Sequence, residues 1–163
     1  DLIKRGGILN MTGSENLALN GIAEPPYIKR MIVDKSAMDS SANSLISKFG
    51  IKTSDSCAMT SSLSGGNIQK LVVARELSLK SHVVVAEQPT AGLDVKASQA
   101  VHEKLLELRA KGAGIILVSS DLDEVIKLSD RILVIYSGKF IGEFNYRDLD
   151  IHKLAKLMLG SEE

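Results

Sequence analysis

VVVAEQPTAGLD, Val83 to Asp94, decides how the rest of the chain reads. Three valines and an alanine run straight into Glu87, Gln88 and Pro89. A short apolar, β-branched run of this kind reads as a buried strand, and this one delivers a carboxylate to its carboxyl end. Proline then ends the strand, and the Gly92 to Asp94 stretch reads as a turn entering the next element.

Outward from that strand the grain is regular. A helix is expected from about Asn67 to Leu79, leading into strand Val83 to Ala86; a second, Ala97 to Lys111, leads into strand Ile115 to Val118; and a third, Asp121 to Leu128, leads into ILVIYSGKFIGEF. Within that last segment Ser137-Gly138 reads as a hairpin turn between alternating stretches. DIHKLAKLMLGSEE reads as one amphipathic helix with a polar tail. Alternating helices and short apolar strands imply an α/β domain with a mostly parallel sheet. Upstream, from Ser14 to Gly50, the pattern is helical: SENLAL with Ser14 as its cap, a break at Glu24-Pro25-Pro26-Tyr27, then DKSAMDSSANSLISKFG with Ala37, Ala42, Leu45, Ile46 and Phe49 on one face and Gly50 at its end. This reads as a small helical subdomain, joined to the rest by a serine-rich loop, Thr53 to Ser64.

Composition narrows the function classes. The chain has 163 residues, 44% of them hydrophobic, with 20 lysines plus arginines against 20 aspartates plus glutamates. A balanced charge supplies no field for a nucleic-acid backbone or an anionic membrane surface. No apolar run reaches the roughly 20 residues needed to cross a bilayer, and the start has no signal-peptide core. The first residue is Asp1, not methionine, so the chain is expected to be part of a longer protein. Cys57, the single cysteine, has no internal disulfide partner and no assigned role. His82, His102 and His152 lack cysteine or acidic partners at metal-ligand spacing and read as packing or solvated residues.

SLSGGNIQK, Ser62 to Lys70, carries the first chemistry. Two adjacent glycines at a helix entry let a ligand approach the backbone, Ser64 supplies a hydroxyl, and the first amides with the helix dipole favour an anion. The same residues also fit an ordinary helix start with Ser64 as cap. Glu87 and Gln88 fit either a phosphate site or the polar end of a strand. Ser120 with Asp123 forms the Ser-x-x-acid pattern of a helix cap, the preferred reading of Ser120 from the residues alone.

LSGGNIQK with VVARELS, then VVVAEQPTAGLD, then ILVSSDLDEV, in that order, resembles the ATP-binding subunit of ABC transporters. RGGILNMTGSENLAL before them and LSDRILVIYSGKFIGEF after them extend the resemblance over almost the whole chain. The LSGGN form and the Gln-Pro-Thr core are most similar to the second, carboxyl-terminal ATPase half of simple-sugar and nucleoside importers. The resemblance implies a partial P-loop NTPase (RecA-like) core with a mostly parallel sheet and a helical subdomain. It also implies that Ser64, Gly65, Gly66 and Asn67 act in trans on ATP held by a partner half, and that Asp94 lies in a loop along the dimer interface. Glu87 stands where the family has the aspartate that orders Mg2+ through water. Gln88 stands at the position of the catalytic glutamate and Ser120 at that of the switch histidine, so an own-side site is expected to bind better than it hydrolyses.

No G-x-x-x-x-G-K-[ST] occurs in the sequence, so the P-loop-bearing part of the core is absent from it and the isolated chain is expected to be inactive, with little ATP affinity of its own. The expected organisation is a helical subdomain and connecting loop over 1–62, the signature helix and carboxyl-terminal part of the core over 63–149, and a terminal helix and tail over 150–163. Implied partners are a second ATPase half, transmembrane permease subunits and, indirectly, a solute-binding protein at the cytoplasmic face of the membrane. Two rivals stand beside this reading: a non-catalytic permease-docking module, and a soluble ATPase of the same superfamily working on DNA. Neutral charge and the lack of a long heptad insertion argue against the second.

Overall fold

The computed structural model describes residues 6–29, 31–79 and 81–160. The start of the chain, 1–5, and the expected polar tail, 161–163, lie outside them. The chain divides into two compact units: one runs to Val84 and includes Pro89–Gly114, and the other comprises Val85–Gln88 with the chain from Ile115 onward.

The first unit is built on four helices: α1 (Gly13–Ala18), α2 (Lys35–Phe49), α3 (Gly65–Leu77) and α4 (Val95–Ala110). Helix α1 packs on α2 and α3, and both of those pack on α4. Leu17, Met38, Ala42, Phe49, Leu71, Ala74, Ala97, Val101 and Leu105 are buried in this unit. Helix α2 begins at Asp34, whose Oδ1 accepts the Ala37 amide at 3.0 Å, and ends at Gly50, whose φ of 61° suits a residue without a Cβ. Met38, which the sequence reading left off the α2 face, is among its most buried residues.

The cap of α1 is Thr12, not Ser14. Thr12 Oγ1 accepts the Glu15 amide at 3.2 Å while Glu15 Oε2 accepts the Thr12 amide at 2.8 Å, a reciprocal capping box. Ser14 lies one residue inside the helix and is buried. Asn16, buried on the same helix, receives the Ile8 amide at 3.0 Å and donates to the Ile8 carbonyl and Thr60 Oγ1, each at 2.8 Å, tying the entering segment and the serine-rich loop to α1. Between α1 and α2, β1 (Ile28–Lys29) and β2 (Ile32–Val33) pair antiparallel, a small hairpin that the helical reading of this region missed.

In the second unit β5 (Arg131–Tyr136) pairs antiparallel with β6 (Lys139–Asn145). Ser137 and Gly138 turn the hairpin with φ of 48° and 77°, the paired positive values of a tight turn whose twist matches its strands. Helix α6 (Ile151–Met158), capped by Asp150, lies on this pair, and Leu154 and Leu157 bury against Ile132 and Val134. Leu122, Val125 and Ile126 of α5 (Leu122–Leu128) complete that core.

Strand β3 (Val83–Glu87) pairs with β4 (Gly114–Val118). The Gly114 amide donates to the His82 carbonyl at one end and the Gln88 amide to the Val118 carbonyl at the other, so both strands advance together and the pair is parallel. The expected full burial of Val83 to Ala86 is corrected here. Ala86 is buried, but Val83 and Val85 are 65% and 68% exposed, and Ile116 and Val118 on β4 are 57% and 47% exposed. Alternate residues face opposite sides of a strand, and among the described residues one side is left uncovered.

Candidate functional site

The residues singled out by sequence fall into two groups, one in each unit. In the first unit α3 starts two residues earlier than expected, at Gly65, with Ser64 in the capping position. The amides of Asn67 and Ile68 both return to the Ser64 carbonyl, at 2.9 and 3.0 Å. Those of Gly65 and Gly66, at the very start, have no carbonyl in their own helix to bond. A side chain built on Gly66 would meet nothing within 4 Å, so the backbone there lies open.

Ser64 does not use its side chain as a cap. Its Oγ instead accepts a hydrogen bond from Asn67 Nδ2 at 2.9 Å. The Asn67 amide has one possible orientation, because its Oδ1 accepts the Lys52 backbone N–H at 2.8 Å, a group that can only donate. Asn67 must therefore present its NH2 to Ser64. The serine's own proton is left to point elsewhere, and the Lys52 amide, Asn67 and Ser64 form a polarised relay toward the space above the glycines.

That space is a shallow pocket of about 260 Å3, lined by Lys52, Ser64, Gly66, Asn67, Lys70, Gly92 and Asp94. Asp94 joins Ser64, Gly66 and Asn67 there: its Oδ1 caps α4 by accepting the Ala97 amide at 2.9 Å, and its Oδ2 receives Lys70 Nζ at 2.6 Å. The Lys70 bond, then the Ala97 amide, hold the Asp94 carboxyl below its ordinary value, with Lys52 adding to the effect. Gln69 Nε2 donates to the Ala91 carbonyl at 2.6 Å, a second tie from α3 to the same loop. Sequence reading did not single out Lys52, Gln69 or Lys70. A signal was present for one of them: Lys70 falls among the buried positions of α3, where a lysine requires an acidic partner.

The second group lies in the second unit. Glu87 ends β3 and is exposed. Gln88 follows with a φ of 44°, a left-handed conformation rare for a residue with a side chain, held by its amide bond to Val118 O at 2.7 Å. Its side chain meets Ser120: Nε2 lies 3.2 Å and Oε1 3.4 Å from Ser120 Oγ, so one hydroxyl serves the amide as acceptor or donor. The capping role expected of Ser120 is corrected. Asp121 caps α5, its Oδ1 accepting the amides of Asp123 at 3.0 Å and Glu124 at 3.2 Å, because a carboxylate accepts two amides where a hydroxyl one residue earlier is out of register. Among the described residues no cluster of three His, Cys, Asp or Glu side chains could hold a metal.

The arrangement can therefore present a hydroxyl, two free amides and a lysine to an anion in one unit. In the other it offers one carboxylate beside a neutral amide–hydroxyl pair. No helix among the described residues is long and apolar enough to cross a membrane.

No family model matches the chain. It is 37% identical over its full length to the guanosine import ATP-binding protein NupO of Bacillus subtilis (strain 168), covering 32% of that protein. It is 36% identical over 98% of its length to the nucleoside import ATP-binding protein NupA of Lactococcus lactis subsp. cremoris (strain MG1363), and 38% identical over 98% to the ribose import ATP-binding protein RbsA of Clostridium perfringens (strain SM101 / Type A), again covering 32% of each. The chain thus spans about a third of the length of these curated relatives. Among solved structures it superposes with a TM-score of 0.69, at 22% identity over 87% of the chain and 60% of the other, on the dimeric ATP-binding cassette MJ0796 bound to ADP and Pi. A second match, with a TM-score of 0.68 and 21% identity, covers 95% of the chain and 60% of an ATP-binding subunit of an ABC transporter.

Proposed function

Because this chain belongs to the ATP-binding cassette ATPases, homologous from end to end to ATP-binding proteins of nucleoside and sugar import, we propose that it supplies the signature donors to ATP held by a partner ATPase half. Its own acidic strand is catalytically weakened. The transported solute is a nucleoside or a simple sugar, and the setting is the cytoplasmic face of the membrane, against permease subunits that a solute-binding protein serves. The relatives' names support the solute class, and the order of the motifs along the chain supports the rest.

One observation carries the reading. The Asn67 amide, oriented by the Lys52 N–H, occupies an acceptor position on Ser64 Oγ and leaves the serine proton free beside two unbonded glycine amides. Three donors fixed before the ligand arrives can stabilise charge developing on a transferred phosphoryl group without reorganising. Lys52 adds a cation at the pocket rim, and nothing over Gly66 obstructs a phosphate. In this reading ATP is a ligand reached from outside, since the half-site offers donors suited to phosphate and contains no P-loop.

On the chain's own side, Gln88 cannot take a proton from water and Ser120 cannot carry the positive charge of a histidine. A general base is worth roughly 100- to 10,000-fold, so the reading places turnover at the partner's nucleotide. Glu87 is the one carboxylate this strand offers toward Mg2+, through bound water, and among the described residues no group of three His, Cys, Asp or Glu side chains could hold a metal.

The test is Ser64→Ala in the assembled transporter. Loss of one such donor costs about 3 kcal/mol, a fall of roughly 100-fold in ATPase rate. An unchanged rate refutes the assignment. The docking-module reading has its own observation, the exposed Met31 and Ile32 at the β1–β2 hairpin, 92% and 73% accessible. It predicts that signature substitutions leave the rate per assembled complex intact.

A further inference from the structure

Lys70 is 7% exposed, on the face of α3 that packs into the first unit, and it is a cation. A buried ammonium requires partners, and Lys70 has two: the Gly50 carbonyl at the end of α2, 3.1 Å away, and Asp94 Oδ2 at 2.6 Å. Asp94 is not buried; its side chain is 56% exposed. The pair is therefore asymmetric, a fixed cation inside the unit holding a carboxylate at its surface. The other oxygen of Asp94 is already committed to the Ala97 amide, which fixes the carboxylate plane.

Three contacts converge on the same short stretch of α3. Asn67 binds the Lys52 backbone, Gln69 binds the Ala91 carbonyl, and Lys70 binds Asp94. Three residues of one helix turn thus clamp the segment after α2 on one side and the loop before α4 on the other. Ser64 stands at the start of that turn, and it shares a pocket with Lys70 and Asp94.

We propose that Lys70 is a positioning residue. Acting through Asp94 and Gly50, it holds the Ala91–Asp94 loop at a set distance from the Ser64, Gly65 and Gly66 donors, so that donors and loop engage one partner half as a single rigid surface. This rests on the signature reading above and adds to it the residue that couples its two contact elements. Lys70 touches no nucleotide itself. Its substitution lowers the rate at which bound ATP is hydrolysed, with little change in the ATP concentration needed.

The experiment measures ATPase kcat and KM for ATP in the assembled transporter, per assembled complex, for Lys70→Met, Asp94→Asn and the double variant, with Ser64→Ala run alongside. Asp94→Asn retains an oxygen to cap Ala97 and lies at the surface, so it remains informative where Lys70→Met fails to assemble. The expected result is a fall in kcat of about tenfold or more for each single variant, a KM within about twofold, and a double variant no slower than the slower single. The proposal is overturned where Lys70→Met or Asp94→Asn keeps the wild-type kcat, or where the two losses multiply in the double variant. A normal rate for Ser64→Ala would instead overturn the signature reading beneath it. A drop with Ser64→Ala but none with Asp94→Asn overturns the positioning role alone.

Discussion

Asn67→Asp replaces the amide nitrogen with oxygen at an unchanged side-chain shape, so it reverses the direction of hydrogen bonding toward Ser64 and adds one negative charge. In the native relay the Lys52 N–H fixes Asn67 Oδ1 at 2.8 Å and Asn67 Nδ2 donates to Ser64 Oγ at 2.9 Å. An aspartate still accepts from Lys52, but its other oxygen can only accept. The Ser64 proton then turns inward to satisfy it, and the hydroxyl no longer donates into the pocket. One phosphate donor is lost, costing about 3 kcal/mol or roughly 100-fold in rate, and a carboxylate is added beside the γ-phosphate position, which can only add to that loss. Asn67→Ala removes the relay but leaves Ser64 free to rotate and donate, so a loss of about 1 kcal/mol, roughly fivefold, is expected. The ordering is therefore Asp slower than Ala, and Asp at least as slow as Ser64→Ala. Steady-state ATPase assays of the assembled transporter, with ATP binding measured separately, provide the comparison. Asn67→Asp running at or above the rate of Asn67→Ala would refute the relay, whatever the absolute values.

At the second group, Gln88→Ala should leave the rate of the assembly within about twofold, whereas Gln88→Glu combined with Ser120→His should raise single-site hydrolysis on the chain's own side toward the 100-fold range; rapid-quench single-turnover measurement distinguishes the two sites. Asn16→Ala removes the partner of Ile8 and of the buried Thr60 hydroxyl, and should cost about 2–4 kcal/mol in urea unfolding, since it strands buried polar groups. Glu107 is pulled down from 4.5 to about 2 by its hydrogen bonds to Lys111 and then Lys104. A lowered carboxylate contributes stability above its unfolded value and loses it as the pH falls through the folded one, so the advantage of wild type over Glu107→Gln should be present at pH 6 and vanish near pH 2. With that side chain 35% exposed the advantage should stay below about 1 kcal/mol, read from urea midpoints at the two pH values.

Much of this molecule was legible before any coordinates. The α3 and α4 helices, the β3 and β4 strands, the Ser137-Gly138 turn and the terminal helix all follow from local pattern and appear within a few residues of where they were expected. The two capping errors share a cause. Ser14 and Ser120 each matched a capping pattern, but in both places a neighbour with better geometry, Thr12 or Asp121, takes the amides. Capping depends on where the backbone turns into the helix, and the sequence marks that only to within a residue or two. The β1–β2 hairpin has strands of two residues, too short to show any period.

The sequence by itself determined the chemistry on offer: a Ser-Gly-Gly helix start, an acid followed by an amide at a strand end, and a serine two residues past the next strand. Local residue type is sufficient for that, because hydroxyls, amides and carboxylates have fixed donor and acceptor capacities. Only the tertiary structure decided which of those groups are free. Lys52 lies fifteen residues from Asn67, and Asp94 twenty-four from Lys70. Contacts over such separations are set by helices packing against one another, and they orient the Asn67 amide so that it donates to Ser64 Oγ and give the buried Lys70 its carboxylate partner.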